Sequence, residues 1–196
     1  MGKLLFQGHG SIRMITEDGI VIYIDPSTGK GYEEPADLIL VTHQHSDHNQ
    51  IRLPKKKQDC VIIQNYEALK NGVYHHFDVK GISIQSVAAE NKNHNRSECV
   101  GYMVKVEGKL FYFAGDTSYV PEMEGYAELG IDYAFLPVDG IFNMGVEEAS
   151  RCARVIKAKH TTPIHQKPFA LFEPQVAEQL EAEGRLIIEA GEEITF

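Results

Sequence analysis

A buried-type strand that runs directly into a cluster of histidines constrains this chain more than any other feature. The apolar residues 38–41 are followed by Thr-His-Gln-His-Ser-Asp-His at residues 42–48. Imidazole is the commonest metal ligand in proteins, and carboxylate oxygen complements it on zinc, iron or manganese. The alternative, a solvated histidine-rich loop, does not explain why good ligands follow a buried strand. We therefore predict a metal site with the ligands His43, His45, Asp47 and His48.

The spacing inside this motif predicts how its side chains divide. If the strand continues into the motif, side chains two residues apart point the same way, so that His43 and His45 face one site. Asp47 and His48 would then begin the following turn and face a second site nearby. One loop supplies too few ligands for two ions, so further ligands are expected elsewhere in the chain.

Three further candidate ligands each follow a predicted strand. His94 lies in a polar loop after residues 82–88, Asp116 follows a strand that ends at a glycine, and His165 follows residues 161–164. Taken singly, a loop histidine is more often solvated, and an aspartate after a glycine can simply cap a turn. Their order along the chain, together with the first motif, makes them candidates for the same site.

Length and charge limit the classes of function. The 196 residues predict one domain, spanning residues 1–196, with a composition typical of a globular protein: 43% hydrophobic and 24% charged. A net charge of -9 argues against nucleic acid or an anionic membrane as partner. A small anionic substrate stays compatible, because two divalent cations would reverse the local field. The sequence gives no indication of oligomeric state.

The termini and cysteines favour a cytoplasmic protein. No apolar run approaches the length of a membrane span, and residues 1–7 are too short for a signal peptide. Cys60, Cys99 and Cys152 are odd in number and have no paired ligand spacing, so buried free thiols in a reducing compartment are expected.

Periodicity predicts a strand-rich chain punctuated by helices. Strands are predicted at 3–6, 11–16, 19–24, 38–41, 60–64, 73–79, 82–88, 100–107, 109–114, 133–136, 161–164 and 185–188. Helices are predicted at 66–71, 122–129, 146–159 and 174–182. This order suggests two sheets packed face to face with helices outside.

These residues resemble those of the metallo-β-lactamase fold superfamily of metal-dependent hydrolases. The chain looks most like the small, insertion-free branch that includes ascorbate-6-phosphate lactonase-like proteins. The resemblance covers nearly the whole chain. The matching residues are His43-Gln44-His45-Ser46-Asp47-His48, His94, Gly115-Asp116-Thr117 and His165, with support from Asp25-Pro26, Ala36-Asp37, Gly8-His9-Gly10 and the segment from Leu136-Pro137 to Asn143-Met144.

The resemblance implies a fold and a ligand set. The fold would be α+β, an αββα sandwich of two mixed sheets with helices outside. By resemblance, His43, His45 and His94 would hold one divalent metal ion, Asp47, His48 and His165 the other, and Asp116 would bridge them. The chain departs from its relatives at Asn93 and at Asp139, where they usually or often carry glycine.

The remaining histidines lie outside the motif, and their positions predict different roles. His75 and His76 are adjacent on a predicted strand and point to opposite faces, so both are interpreted as structural. His160 is expected to cap the long helix, where a cation suits the helix dipole. His9, between two glycines, is either a surface residue or a group that contacts substrate or a ligand.

Three other polar residues are possible supports of the site. Asp25 and Asp37 could orient ligand histidines through their second ring nitrogens, although Asp25 could equally just begin an Asp-Pro turn. Lys167 could hold an anionic substrate group, with an ordinary surface lysine as the alternative.

The predicted function is hydrolysis of a small ester, lactone or phosphoester. Two divalent metal ions, with zinc favoured over manganese or iron, would share a hydroxide that attacks an acyl carbon or a phosphorus. The predicted catalytic residues are Asp47, which would accept or pass a proton, and Asp116, which would bridge the metals. A diiron-type oxidoreductase is the first alternative, although such proteins usually carry a carboxylate in place of His45. A metal-bound sensor or binding protein with little catalysis is the second.

Overall fold

Two six-stranded sheets packed against each other form the body of the protein. A computed structural model describes residues 1–196. The strands are β1 (Lys3–Gly8), β2 (Ser11–Ile15), β3 (Val21–Ile24), β4 (Ala36–Leu40), β5 (Lys56–Ile63), β6 (Leu69–Lys70), β7 (Val73–Tyr74), β8 (His76–Val79), β9 (Ile82–Ala88), β10 (Val100–Val106), β11 (Lys109–Phe113), β12 (Tyr133–Pro137), β13 (His160–Ile164) and β14 (Glu193–Thr195).

Both sheets are mixed. The first has the order β14-β1-β2-β3-β4-β5, antiparallel as far as β3 and parallel from β3 to β5. The second has the order β13-β12-β11-β10-β9-β8, parallel from β11 to β13 and antiparallel elsewhere. Three of the parallel strands, β4, β11 and β13, end at loops that carry candidate ligands, and the antiparallel strand β9 leads to the loop of His94.

The main core lies between the sheets. Strand β9 alternates buried and half-buried side chains along its length, as expected for a strand with one face in the core. Twenty-two buried residues form this core, among them Leu4, Phe6, Leu38, Tyr102, Phe111 and Phe135. Burial of this apolar surface is the main force that holds the sheets together.

The helices are α1 (Asn65–Ala68), α2 (Val146–Ile156), α3 (Pro174–Ala177) and a 3-10 helix at Pro121–Leu129. The two longest, α2 and the 3-10 helix, cover the outside of the second sheet, whereas α1 lies beside β5 and contributes Ala68 to the main core. Helix α2 buries Ala149, Cys152, Ala153 and Ile156 in a second core that also includes the 3-10 helix. The outer face of the first sheet is covered by loop residues, including Tyr32 and Ile51. The predicted α+β sandwich is therefore confirmed.

No helix combines the length and the apolarity that crossing a membrane requires. The three cysteines are unpaired, as predicted; Cys99 and Cys152 are buried, whereas Cys60 is half-buried.

Several predicted elements differ from the structure. The predicted helices at 66–71 and 174–182 are single turns, and the predicted strand at 73–79 is broken between Tyr74 and His76. No strand forms at 185–188, and the last strand is β14 instead. His160 does not cap the long helix, which ends at Ile156; it begins β13, and its ring stacks on Tyr133.

Candidate metal centre

The loops at one edge of the sandwich bring all seven predicted ligands together. His43, His45, Asp47 and His48 follow β4, and the other three follow strands of the second sheet: His94 after β9, Asp116 after β11 and His165 after β13. The backbone joins the two halves of the site, because the N–H of Val100 in β10 donates to the carbonyl of Thr42 at 3.0 Å.

The first motif is a turn and not an extension of its strand. Strand β4 ends at Leu40, and the N–H of His48 donates to the carbonyl of His45 at 3.0 Å, which closes the turn. The expected strand alternation of His43 and His45 was therefore wrong, although the two residues do share a group of ligand atoms. The chain leaves the strand because the carboxylate of Asp25 accepts hydrogen bonds from the N–H and hydroxyl of Thr42.

One group of ligand atoms comprises His43, His45 and His94. Their ring nitrogens lie within 4.8 Å of one another, and Nε2 of His94 is 3.2 Å from Nδ1 of His45. His43 and His94 are buried, whereas His45 is exposed. Asn93, the departure noted before His94, has an exposed side chain that donates to the carbonyl of Phe142 at 2.9 Å. It does not prevent His94 from joining the group.

A second group comprises Asp47, His48, His165 and His9. Oδ2 of Asp47 lies 3.6 Å from Nε2 of His165 and 4.0 Å from Nε2 of His48. His9, whose role the sequence left open, is buried, and its Nε2 is 3.1 Å from the same carboxylate oxygen. The two glycines that flank His9 were the only sequence signal for this role.

Asp116 lies between the two groups. Its Oδ2 is 3.2 Å from Nε2 of His94 and 3.5 Å from Nε2 of His165, and its Oδ1 is 3.3 Å from Nε2 of His48. Its carboxylate is buried among imidazoles from both sheets. This is the position that the resemblance implied for a bridging ligand.

Four ligand histidines contact a polar side chain through Nδ1, the ring nitrogen that faces away from the centre. Nδ1 of His43 is 3.0 Å from Oγ1 of Thr42, and Nδ1 of His94 is 2.9 Å from Oδ1 of Asn91. Nδ1 of His48 is 2.8 Å from Oδ2 of Asp25. For His165 the contact is with Asp139, whose Oδ2 lies 2.7 Å from Nδ1. Partners of this kind fix the ring orientation and leave Nε2 free for a metal.

Of the two aspartates expected to support histidines, only Asp25 does so. Asp37 was predicted wrongly: its buried carboxylate accepts hydrogen bonds from the N–H of Val21 and from the ammonium groups of Lys57 and Lys80. It lies within β4, five residues before the motif begins at Thr42, so its contacts stabilise the sheet and do not reach the centre.

Asp139 takes the second supporting position. Its other oxygen, Oδ1, accepts the N–H groups of Ile141, Phe142 and Asn143 at 2.6, 2.7 and 3.1 Å. Burial would raise the pKa of Asp139, but His165 and these N–H groups outweigh it and hold the pKa at about 2. The sequence flagged this residue only as an unusual carboxylate.

The backbone is strained around the centre. His9, Asp25 and His165 have φ angles of 58°, 46° and 49°, a left-handed conformation that non-glycine residues seldom adopt. Such strain persists where the surrounding structure over-determines it, often at functional sites. Gly115, beside Asp116, also has a positive φ, and a Cβ there would lie 2.9 Å from Cβ of Thr42. Glycine is needed here because the loops of the two sheets approach so closely.

The charges of the centre favour a cation. Burial lowers the pKa of His43 well below its usual value, which leaves it neutral as a ligand must be. Burial also acts to lower the pKa of His48, but Asp116 and Asp25 raise it well above normal. Burial acts to raise the pKa of Asp116, yet His48 and His165 hold it well below its ordinary range. The buried carboxylates therefore create a potential that would stabilise bound metal ions.

These residues fit a metal. The buried Nε2 atoms of His43, His48 and His165 and Oδ1 of Asp116 have no hydrogen-bond partner, although buried polar atoms normally have one. They converge with other nitrogen and carboxylate ligands, the donor set that zinc, manganese and iron take.

A cavity of about 460 Å³ opens over the centre and gives a small molecule access to it. Its lining includes buried Asp116 and His165, Asp47 with 44% of the side chain exposed, and the exposed rings of Phe142 and Phe169. Lys167 is not part of it: the side chain is 61% exposed, and its Nζ lies 3.5 Å from Oε2 of Glu173. His75 and His76 lie outside the centre, and His76 pairs with Asp78 at 3.0 Å.

Comparison with known proteins shows the family to which the chain belongs. A family model of the β-lactamase superfamily domain matches residues 3–165. A UPF0173 metal-dependent hydrolase of Bacillus thuringiensis subsp. konkukian is 31% identical over an alignment 227 positions long, which covers 99% of this chain and all of that protein.

Solved structures agree as well. A candidate metal-dependent hydrolase from Parabacteroides distasonis superposes with a TM-score of 0.78 at 31% identity, covering 94% of this chain and 91% of that one. Igni18, a metallo hydrolase from the archaeon Ignicoccus hospitalis, has a TM-score of 0.76 over 100% of this chain and 98% of its own; at 23% identity it shows the fold alone. From the matched domain and the curated relative, the chain belongs to the UPF0173 metal-dependent hydrolases of the metallo-β-lactamase fold.

Proposed function

We propose that this hydrolase holds two divalent metal ions and cleaves a small ester, lactone or phosphoester. The observation that carries the proposal is the convergence of three groups of ligand atoms, each within 4.8 Å, around the buried carboxylate of Asp116. A single ion would not need ligands on both sides of that carboxylate.

The ligands would divide as the geometry groups them. His43, His45 and His94 would hold one ion, and Asp47, His48 and His165 the other, with Asp116 between them. Nitrogen-rich ligands with carboxylates suit zinc, which we propose as the resident metal; iron or manganese would be a different outcome of metal analysis.

The chemistry is divided between the ions and the chain. Bound divalent ions would lower the pKa of a shared water towards neutrality and polarise the substrate oxygen. Asp47 faces the cavity and is half-exposed, so its carboxylate can take the proton of the attacking water and pass it to the leaving group. His9 contacts that carboxylate from the buried side and restricts its orientation.

Metal content and turnover of the Asp116→Ala variant test the proposal. The wild-type chain, reconstituted with zinc, should hold about two ions per chain and hydrolyse at least one of a lactone, an ester and a phosphodiester. Asp116→Ala should bind less metal and lose about 100-fold or more in kcat, because both sites lose a ligand.

His76→Ala is the matched control, since this histidine is surface-exposed and lies outside the ligand groups. It should keep both metal content and turnover. Two ions and full activity in Asp116→Ala would refute the dinuclear model. Two ions without turnover on any substrate would point to a sensor or binding protein, and bound iron with oxygen-dependent chemistry would point to the oxidoreductase.

A further inference from the structure

The cavity over the metal centre has no cationic side chain of the chain itself in its lining. Neither this cavity nor the smaller one beside His43, His45 and His94 is lined by a lysine or arginine. A site that selects phosphate or carboxylate groups normally presents arginine or lysine to them. The polar groups on the rim are neutral, among them Thr28, Ser46 and Asn93.

The charges of the centre are already balanced without a substrate. Asp47 and Asp116 lie among the ligands, while Asp25 contacts His48 and Asp139 contacts His165. Four carboxylates match the positive charge of two divalent ions, so little net positive potential is left to attract an anion.

Two aromatic rings stand at the mouth of the cavity. Phe169 is 97% exposed and has a φ of 62°, a strained conformation for a bulky residue. Phe142 is 41% exposed, and its N–H is held at 2.7 Å by Asp139, the carboxylate that also contacts His165. The position of this ring is therefore tied to the centre. Exposed aromatic rings beside a cavity provide apolar surface for a ligand.

We propose that the site selects uncharged acyl substrates, esters or lactones, whose apolar group packs between Phe142 and Phe169. This narrows the proposed function, on which it rests, and sets phosphoesters aside. The scissile carbonyl would lie over the buried ligands, and the apolar group would cover rings that otherwise face water.

The binding test uses the zinc-loaded full chain and alkyl hydroxamates, which are uncharged in solution and chelate zinc. Calorimetry should show that hexanohydroxamate binds about tenfold more tightly than acetohydroxamate, because its longer alkyl chain reaches the two aromatic rings. The Phe142→Ala/Phe169→Ala variant should reduce this ratio to about twofold or less. Leu129→Ala, which shortens an exposed apolar residue outside the cavity, should leave the ratio unchanged.

The kinetic test compares two esters of equal length and reactivity that differ in one charge. 4-Nitrophenyl hexanoate should have a kcat/KM about tenfold or more above that of mono-4-nitrophenyl adipate, which carries a terminal carboxylate. Phe142→Lys should reduce or invert this preference by placing a cation at the mouth. Bis(4-nitrophenyl) phosphate is included as the phosphoester.

The outcomes separate this inference from the function on which it rests. Preference for the adipate ester or for the phosphodiester would overturn the inference and leave the hydrolase intact. No turnover of any substrate, with chain-length-dependent hydroxamate binding that requires the two rings, would refute the hydrolase and support the apolar site. Hydroxamate binding that is independent of chain length would overturn the inference.

Discussion

At the residue scale, the orientation of the ligand histidines depends on the groups behind them. Asp25 accepts hydrogen bonds from both Thr42 and His48, and the hydroxyl of Thr42 in turn contacts His43. A single carboxylate therefore orients one histidine of each proposed metal site. Sequence spacing alone indicated His43 and His48 as ligands but could not show which ring nitrogen each would present. That depends on Asp25, which lies 17 residues before Thr42 and 23 residues before His48.

Zinc binding should release protons near neutral pH. Burial acts to lower the pKa of His165, but Asp116, Asp139 and Asp47 outweigh it and raise the pKa to about 9. In the metal-free protein at pH 7.5 this imidazole holds a proton that zinc must displace, so zinc affinity should rise with pH up to about 9. Calorimetry in two buffers of different ionisation enthalpy should detect about one proton or more released per chain.

The His165→Gln variant is the comparison, since it removes that proton acceptor while keeping a polar side chain of similar reach. Fewer protons should be released on zinc binding. Equal heats of zinc binding to the wild-type chain in the two buffers at pH 7.5, after correction for dilution, would contradict the assignment of a protonated His165.

At the element scale, local patterns predicted most strands, whereas pairing decided the rest. Leu186, Ile187 and Ile188 look like a strand, yet only an isolated bridge forms there, beside Thr161. The ladder cannot continue along β13 because Pro163 has no N–H to donate. The segment Glu193–Thr195 has no strong strand pattern, but β1 offers it an edge at the register Lys3 to Thr195. Whether each of these segments forms a strand therefore depends on a partner strand far away in the sequence.

Asp37 shows how one buried carboxylate stabilises neighbouring strands. It lies in β4, and its carboxylate accepts hydrogen bonds from the N–H of Val21 in β3 and from the ammonium of Lys57 in β5, each within 2.8 Å. Asp37→Asn should lower the free energy of unfolding at pH 7 by about 1–2 kcal/mol, the low end for charged hydrogen bonds because Lys57 and Lys80 are partly exposed. Urea denaturation measures this difference.

The pH dependence of that difference follows from the lowered pKa. Burial would raise the pKa of Asp37, but Lys57 and Lys80 hold it at about 2, below the value of about 3.8 expected in the unfolded chain. The stabilisation should thus be complete above pH 5 and disappear as the pH falls from about 4 to 2. Asp59→Asn, which removes an exposed partner of Lys80, should have no measurable effect. An equal loss in both variants would contradict the role of burial.

At the scale of the whole molecule, the candidate centre joins the two sheets. The first motif comes from the first sheet, and His94, Asp116 and His165 come from the second. The order of ligands in the sequence predicted this set because each follows a strand. The sequence singled out Asp139 and His9 but left their roles open, since their contacts arise only when the ends of β1, β12 and β13 meet.

Because the ligands come from both sheets, metal should stabilise the whole fold and not only the loops. Zinc at about 1,000 times its dissociation constant would add roughly 4 kcal/mol to the free energy of unfolding. For a chain of this size that corresponds to a rise in Tm of roughly 8–16 °C over the chelator-treated protein. Differential scanning calorimetry with and without chelator measures the shift.

The Asp116→Ala variant provides the decisive comparison. Removing the carboxylate that contacts ligands of both groups should abolish most of the zinc-dependent rise in Tm, while His76→Ala should retain it. Stabilisation should also appear as a single cooperative transition, because the two sheets share one core of buried side chains. A Tm that does not respond to zinc in the wild-type chain, or a shift confined to a separate minor transition, would mean that metal binding does not stabilise the packing of the two sheets.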